Sequence, residues 1–336
     1  MSSIRFGEVV SGRLSDHFYC WVRKPLDKGE VFAPDDPSKY WVYSLEEEEY
    51  TRFKNSFIKR PKGVLTLSLR SRKTFRYGFF QLAAALPSWG RGSPMLWFGF
   101  ENEDLFGGGV AHFLFSEDEL YAFAGAWGSS VLQLRLPVDV GELKRGSHVF
   151  TVRVYEGLAV WSVDSEVKGV AVLADTGQPV VAYEGAPYSA GVTGRSPPPS
   201  MGVLIDIDGG PGDEDWVWWN VNPWHLRVAE GGPRPFMALR LYEWGTGRQW
   251  EGFRASGRLV SQPVPTLGRS VTLTLAPANG MLRVEALTLS NRWVTVYERR
   301  VQGVARVYLD GGDLFSRFVY EPEGEQAISV AEVTVT

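Results

Sequence analysis

The carboxylates are where chemistry could begin in this chain of 336 residues, and they fall in two clusters. The first, Glu101-Asn102-Glu103-Asp104, ends the apolar run that starts at Met95. Side chains alternate along a strand, so Glu101 and Glu103 could share one face. Two such carboxyls, one ionised and one protonated, roughly 5–5.5 Å apart, are what retaining hydrolysis of a glycosidic bond requires. The competing reading is a solvated strand end, because the acids run straight into Leu105-Phe106 and three glycines. The second cluster is Asp206-Ile207-Asp208, followed across a Gly/Pro bend by Asp213-Glu214-Asp215. Calcium takes six to eight oxygens at about 2.3–2.6 Å, often from a short acidic, Gly-rich loop. Asp206, Asp208, Asp213 and Asp215 are therefore the candidate metal ligands, with a plain solvated turn as the alternative. Their order is not that of an EF-hand, since no Glu stands at the required distance.

Aromatic residues form a second lead. A sugar stacks its C–H face on an exposed indole, so the 13 Trp matter. Trp89, Trp97, Trp216 and Trp218 are the ligand-facing candidates. In Trp216-Val217-Trp218-Trp219 the alternation sends Trp216 and Trp218 one way and Trp219 the other, so not all can meet one ligand. Each is also a candidate for the core.

Other chemistries find little support. His17, His112, His148 and His225 are scattered without zinc-ligand spacing, and His112 and His148 read as ordinary sheet residues. Cys20, the single cysteine, sits between aromatics and reads as buried, so no disulfide framework fixes the compartment. Gly107-Gly108-Gly109 lacks the Lys-Ser/Thr of a phosphate loop, and no G-x-S-x-G elbow occurs. A formal net charge of −4 supplies no basic field for nucleic acid. No signal-peptide pattern opens the sequence and no apolar run approaches the ~20 residues of a membrane helix, so a soluble protein without membrane insertion is expected.

The elements that must position these residues are strands. Short apolar, aromatic-rich runs separated by turn residues recur from Phe75 to Trp127 and again to the end of the chain. Phe18, Cys20 and Val22 alternate with Tyr19 and Trp21; Val64–Leu69 alternates cleanly; a hairpin turns at Glu156–Gly157 and another at Glu117-Asp118-Glu119. Residues 25–40 read as loop, 45–58 as the one sizeable helix, 186–200 as a long Pro/Gly/Ser loop, and Asn279–Gly280 as a hairpin turn. The fold class is all-β: a large antiparallel jelly-roll sandwich over residues 1–230, then, after GGPRP, a smaller β-sandwich over residues 236–336.

Three stretches carry a family resemblance. YGFFQLAAALPSWGRGSPMLWFGFEN is similar to a strand leading through a Pro-containing turn to a Trp-rich strand. HVFTVRVYEGLAVWSVDSEV is similar to a hairpin whose second strand reads F-Y-V-D-G, with Val163-Asp164 in register and Ser165 where the Gly would stand. WVWWNVNPWHLRV resembles a closing strand L-E-V-D-W-V-R-V. Together they make residues 60–230 resemble the concanavalin A-like lectin/glucanase sandwiches, laminarinase-like and laminin-G-like modules included. The resemblance implies a carbohydrate partner and, in its glucanase branch, an E-x-D-x-x-E strand. Here Glu103 stands where that motif's Asp would and Phe106 where its second Glu would, so the catalytic set is not intact. It also raises the case for a structural calcium. Three functions follow: a non-catalytic carbohydrate-binding sandwich, a glycoside hydrolase with a displaced carboxylate pair, or a structural subunit of a virion or cell surface. A homo-oligomer is compatible with each. Only fold analogy separates the first two from the third.

Overall fold

The computed structural model describes residues 3–5, 14–26, 29–42, 56–88, 94–102, 108–128, 130–209, 216–232, 241–243, 249–250, 254–255, 257–266, 270–288, 292–310, 313–327 and 329–335. The chain is all-β, and no helix among these residues is long and apolar enough to cross a membrane. In order come β1 (Ser3–Arg5), β2 (Phe18–Leu26), β3 (Gly29–Asp35), β4 (Trp41–Val42), β5 (Ser56–Pro61), β6 (Thr66–Phe75), β7 (Gly78–Ala84) and β8 (Met95–Glu101). Next are β9 (Gly109–Ser116), β10 (Glu119–Ala126), β11 (Leu132–Arg135), β12 (His148–Tyr155), β13 (Leu158–Val163), β14 (Glu166–Val172), β15 (Val180–Tyr183), β16 (Ser189–Val192), β17 (Met201–Asp208) and β18 (Trp216–Glu230). The third group is β19 (Leu241–Glu243), β20 (Gln249–Trp250), β21 (Arg254–Ala255), β22 (Leu259–Ser261), β23 (Val264–Pro265), β24 (Ser270–Leu287), β25 (Trp293–Asp310), β26 (Phe315–Pro322), β27 (Gln326–Ala327) and β28 (Ser329–Val335).

Two large sheets make the sandwich. One holds ten strands in the order β15-β16-β14-β13-β12-β7-β18-β5-β4, with β1 on β18; the other holds eight, β11-β10-β9-β8-β17-β6-β2-β3. Strand alternation explains why they stack. Phe18, Cys20 and Val22 of β2, Leu96, Phe98 and Phe100 of β8, and Ile205 and Ile207 of β17 point inward. They meet Phe80 and Leu82 of β7 and Phe150 and Val152 of β12 in one buried core. Trp161 of β13 spans that core, fully buried, and its indole N–H donates to the His112 carbonyl oxygen on the opposite sheet at 3.1 Å. The tight turns follow the local chemistry. Glu117-Asp118 and Asp164-Ser165 all adopt positive φ, the conformation two-residue hairpins need.

Residues 241–335 build a third sheet, β20-β19-β22-β26-β24-β25, with β23 on β26 and β28 on β24. It has its own core around Leu275, Leu282, Val284, Phe318 and Tyr320. Leu287, Phe315 and Trp293 also pack with Leu158, Val160, Val170 and Val192 of the ten-stranded sheet. Arg317 lies 4.2 Å over the Trp293 ring, and Tyr183 meets the same indole at 6.2 Å.

Four expectations change. Residues 25–40 are not all loop, since β3 pairs with β2 with Val22 opposite Ala33. β3 is a sheet edge, where Pro34 and charged residues are tolerated, and those residue types hid the strand. The helix expected over 45–58 ends in strand: Ser56–Ile58 belongs to β5, while residues 43–55 lie outside the described residues. Within the loop expected over 186–200, β16 forms a parallel pair with β14, its four residues all buried. Asn279–Gly280 is no turn. β24 runs through it, because a register shift between Leu275 and Ala278 accommodates Pro277. Gly280 is there because β26 passes too close for a Cβ, which would collide with the Glu321 carbonyl oxygen. The β24–β25 pairing instead continues to Leu287 opposite Trp293, and beyond it the Thr288 amide donates to the Arg292 carbonyl at 2.9 Å.

Candidate functional site

The outer face of the eight-stranded sheet collects the polar residues that its inner face excludes. On β8, Leu96, Phe98 and Phe100 enter the core, which leaves Met95, Trp97, Gly99 and Glu101 on the other side. The register then sets their neighbours. Gly99 lies opposite Leu204 on β17 and His112 on β9, and Leu204 lies opposite Arg70 on β6. One step along, Trp97 lies opposite Asp206, which faces Ser68.

Arg70 is the hub. Its guanidinium reaches Glu101 Oε1 at 3.3 Å and stands 3.9 Å from Asp206 Oδ2, and its Nε donates to Ser68 Oγ at 2.8 Å. All three charged side chains are largely withdrawn from solvent. Asp206 Oδ1 is buried with no hydrogen-bond partner among the described residues. Burial pushes the Asp206 carboxyl well above the usual carboxylate range; Arg70 and a Ser68 hydrogen bond oppose the rise, while Glu101 and Asp208 add to it. Burial wins because Arg70 stands beyond hydrogen-bond reach of Asp206. His112 is fully buried, and burial drives its imidazole down to about 3. It is neutral at physiological pH, so its 3.8 Å approach to Glu101 Oε2 is not an ion pair. Its two ring nitrogens find no partner among the described residues.

Aromatic rings border this cluster. Trp97, half-buried, meets His112 edge-on at 5.2 Å, Phe123 at 5.5 Å and Trp127 at 6.4 Å, and Phe123 stacks on His112 at 5.7 Å. Gly99 makes the close packing feasible. It adopts φ +144°, and a Cβ there would lie 2.6 Å from the His112 Cα. Gly99→Ala is therefore expected to cost about 1–3 kcal/mol in backbone strain and roughly 1–3 more in overpacking. Urea unfolding of the variant checks this; a loss under 1 kcal/mol would show that β8 and β9 separate freely.

The sequence-derived candidates divide accordingly. Glu101, Trp97, Asp206 and Asp208 are brought to one face. Glu103, Trp89, Asp213 and Asp215 lie outside the described residues. Trp216 and Trp218 belong to β18 of the ten-stranded sheet, opposite Pro61 and Lys59, so they are on a different sheet from Trp97. Asp208 is held by Arg23 at 2.9 Å and by the Thr66 hydroxyl. Asp208, one of the candidate calcium ligands, is thus already engaged by a guanidinium. Among the described residues no group of three or more His, Cys, Asp or Glu is placed to hold a metal ion.

Arg70, Ser68 and His112 were missed as site residues. Alternation in β6 did mark Thr66, Ser68 and Arg70 as the polar side, but nothing local paired them with β8 or β17. Cys20 is buried and its thiol is pushed up to about 12 by burial, which removes it as a nucleophile. A cleft of about 390 Å³ lies elsewhere, lined by Glu119, Arg135, Pro137, Val138 and Glu184, and shares no residue with this cluster.

No protein-family model and no curated protein sequence matches the chain. Among solved structures it is similar to a LamA variant from Z. galactanivorans in complex with laminaritriose and laminaritetraose, at 12% identity and TM-score 0.41, covering 68% of this chain and 97% of that one. A glycoside hydrolase family protein from Mycobacterium thermorestibile gives 12% identity and TM-score 0.42, covering 68% and 99%. The Bacillus licheniformis beta-glucanase gives 11% identity and TM-score 0.36, covering 63% and 98%.

Proposed function

We propose that this protein binds carbohydrate on the outer face of the eight-stranded sheet of its sandwich, without turnover, with residues 1–230 as the binding unit and 236–336 as a smaller second domain. The observation that supports the reading is the half-buried Trp97 beside Trp127 and Phe123, bordering the Glu101–Arg70–Asp206 cluster. An indole supplies a stacking surface for a sugar ring, and the charged groups beside it supply hydrogen bonds to hydroxyls. Native affinity electrophoresis through gels holding different soluble polysaccharides tests it, each run with and without calcium. The expected result is retardation without clearing of the gel, with Trp97→Ala weakening retention about tenfold or more, as for a buried aromatic contact worth ~2 kcal/mol. Unchanged mobility across a broad panel would remove the reading. Calcium dependence would put a metal at the Asp206–Asp215 loop despite the arginines.

A glycoside hydrolase is the second reading, favoured by one observation: Asp206 and Glu101 lie in one cluster around Arg70, and burial pushes the Asp206 carboxyl up, toward the acid form that such chemistry needs. It moves the partner of Glu101 from Glu103 to Asp206. Clearing of the gel that is lost in both Glu101→Gln and Asp206→Asn would establish it. Loss in Glu103→Gln but not Asp206→Asn would restore the original pair.

A further inference from the structure

Four of the five large apolar side chains exposed among the described residues lie on one strand. Val294, Val296, Val304 and Tyr308 of β25 are 47%, 53%, 66% and 65% exposed. β25 is 18 residues long and, among the described residues, pairs only with β24, with register shifts that leave Val296 and Val304 out of the paired positions; no described strand covers its other edge. Such an edge is a template for another strand unless charge or irregularity blocks it. β25 carries both: Glu298, Arg299 and Arg300, and Gly303 at φ +79°. A partner must therefore match those charges.

We propose that β25 is the docking edge for a second copy of this chain, joining the third sheets of the two copies antiparallel across a two-fold axis at Gln302. Charge complementarity selects the occupant and the register. With Gln302 opposite its own copy, Glu298 lies opposite Arg306, Val296 opposite Tyr308, and Arg300 opposite Val304. Each pair occurs twice, because a two-fold interface uses the same residues from both sides. All of these are even-numbered positions on the more exposed face of β25, where odd-numbered Val301, Ala305 and Val307 are buried. Centring on Arg300 or on Val304 instead sets Arg300 against itself or Glu298 against Asp310. Centring on residue 303 sets Arg300 against Arg306, and centring on Val301 leaves Glu298 opposite Val304. Centring on Arg299 opposes Glu298 to Arg300 but sets Arg299 against its own copy on the other face, so the Gln302 register is the one that opposes Glu to Arg with no like charges on either face; opposite-charge and aromatic–aliphatic cross-strand pairs each stabilise a sheet by up to ~1 kcal/mol. Arg306 has no acid partner among the described residues, whereas Glu298 also meets Arg283 at 3.1 Å within the chain.

Light scattering with size exclusion tests the proposal on the full chain. A mass twice the 37.5 kDa of one chain is expected. Arg306→Glu should raise the dimer dissociation constant about tenfold or more, since two attractive pairs become repulsive. Glu298→Arg combined with Arg306→Glu should restore the dimer, which a general loss of folding would not allow. Gln302→Cys gives a positional readout. Residues directly opposite in an antiparallel pair lie about 4.5–5.5 Å apart at Cα, within disulfide reach, and Cys20 is buried and cannot compete. Oxidation should cross-link Gln302→Cys and not Val304→Cys, which is displaced from its copy along the strands. A monomer at hundreds of micromolar, a dimer unaffected by Arg306→Glu, or cross-linking through Val304→Cys alone would each overturn the proposal.

Discussion

Replacing Arg70 by alanine is expected to remove about 3–5 kcal/mol of stability at neutral pH, the usual consequence of taking one partner from a buried ion pair. Arg70 is the one cation within reach of both Glu101 and Asp206 among the described residues, and its loss also frees Ser68 Oγ from its donor. The deficit should shrink on acidification, because protonating Glu101 removes the charge that Arg70 no longer pairs. Denaturant unfolding at pH 7 and pH 4 measures both. A loss below 1 kcal/mol at pH 7 would mean that water already solvates the cluster. Asp206 provides the complementary variant. Its folded-state carboxyl is raised above its ordinary value of 3.8, so between that value and the folded one the native state binds more protons than the unfolded chain. Stability therefore falls as pH rises through that window, and below 3.8 the difference vanishes. Asp206→Asn should be more stable than the natural protein at pH 7 and not below pH 3.8. The reverse pattern, a deficit at pH 7 that disappears in acid, would show that Arg70 outweighs burial and keeps Asp206 ionised.

Trp161→Ala should be comparably damaging, at about 3–5 kcal/mol, because an indole at the centre of a packed core leaves a cavity its neighbours cannot fill. Trp161 also holds the site to the opposite sheet, through its hydrogen bond to the His112 carbonyl oxygen. Trp161→Phe separates the two effects. It keeps an aromatic ring in the core and removes only the indole donor, so about 0.5–1.5 kcal/mol of its cost is the lost hydrogen bond. Urea titration of both variants gives the numbers, and the polysaccharide gels described above show whether the shift at His112 reaches Trp97. Equal losses in the two variants would assign the whole effect to the hydrogen bond and none to the cavity.

Much of the strand pattern was legible because alternation is written locally. Phe18, Cys20 and Val22 share a face in β2, Leu67 and Leu69 in β6, and the turn at Glu117-Asp118 declares itself in three residues. Where local composition misled, a tertiary neighbour decided. Pro34 sits in a strand because β3 is an edge; residues 189–192 form β16 because β14 offers a parallel partner; Asn279–Gly280 stays extended because β25 and β26 pair on either side of it.

For the site, the sequence by itself determined which residues could leave the core: Glu101, Trp97, Asp206 and Asp208 all fall on the polar side of their own strands. It could not determine that they meet one another, or that Arg70 and His112 meet them. That depends on the order β6-β17-β8-β9, in which strands distant along the chain become neighbours. Strand order is set by how the two sheets bury their apolar faces together, and no local window contains that information. The tertiary structure alone decided the protonation of the site as well. Burial pushes the Asp206 carboxyl up and the His112 imidazole down, and burial belongs to the packed sheets rather than to the side chains.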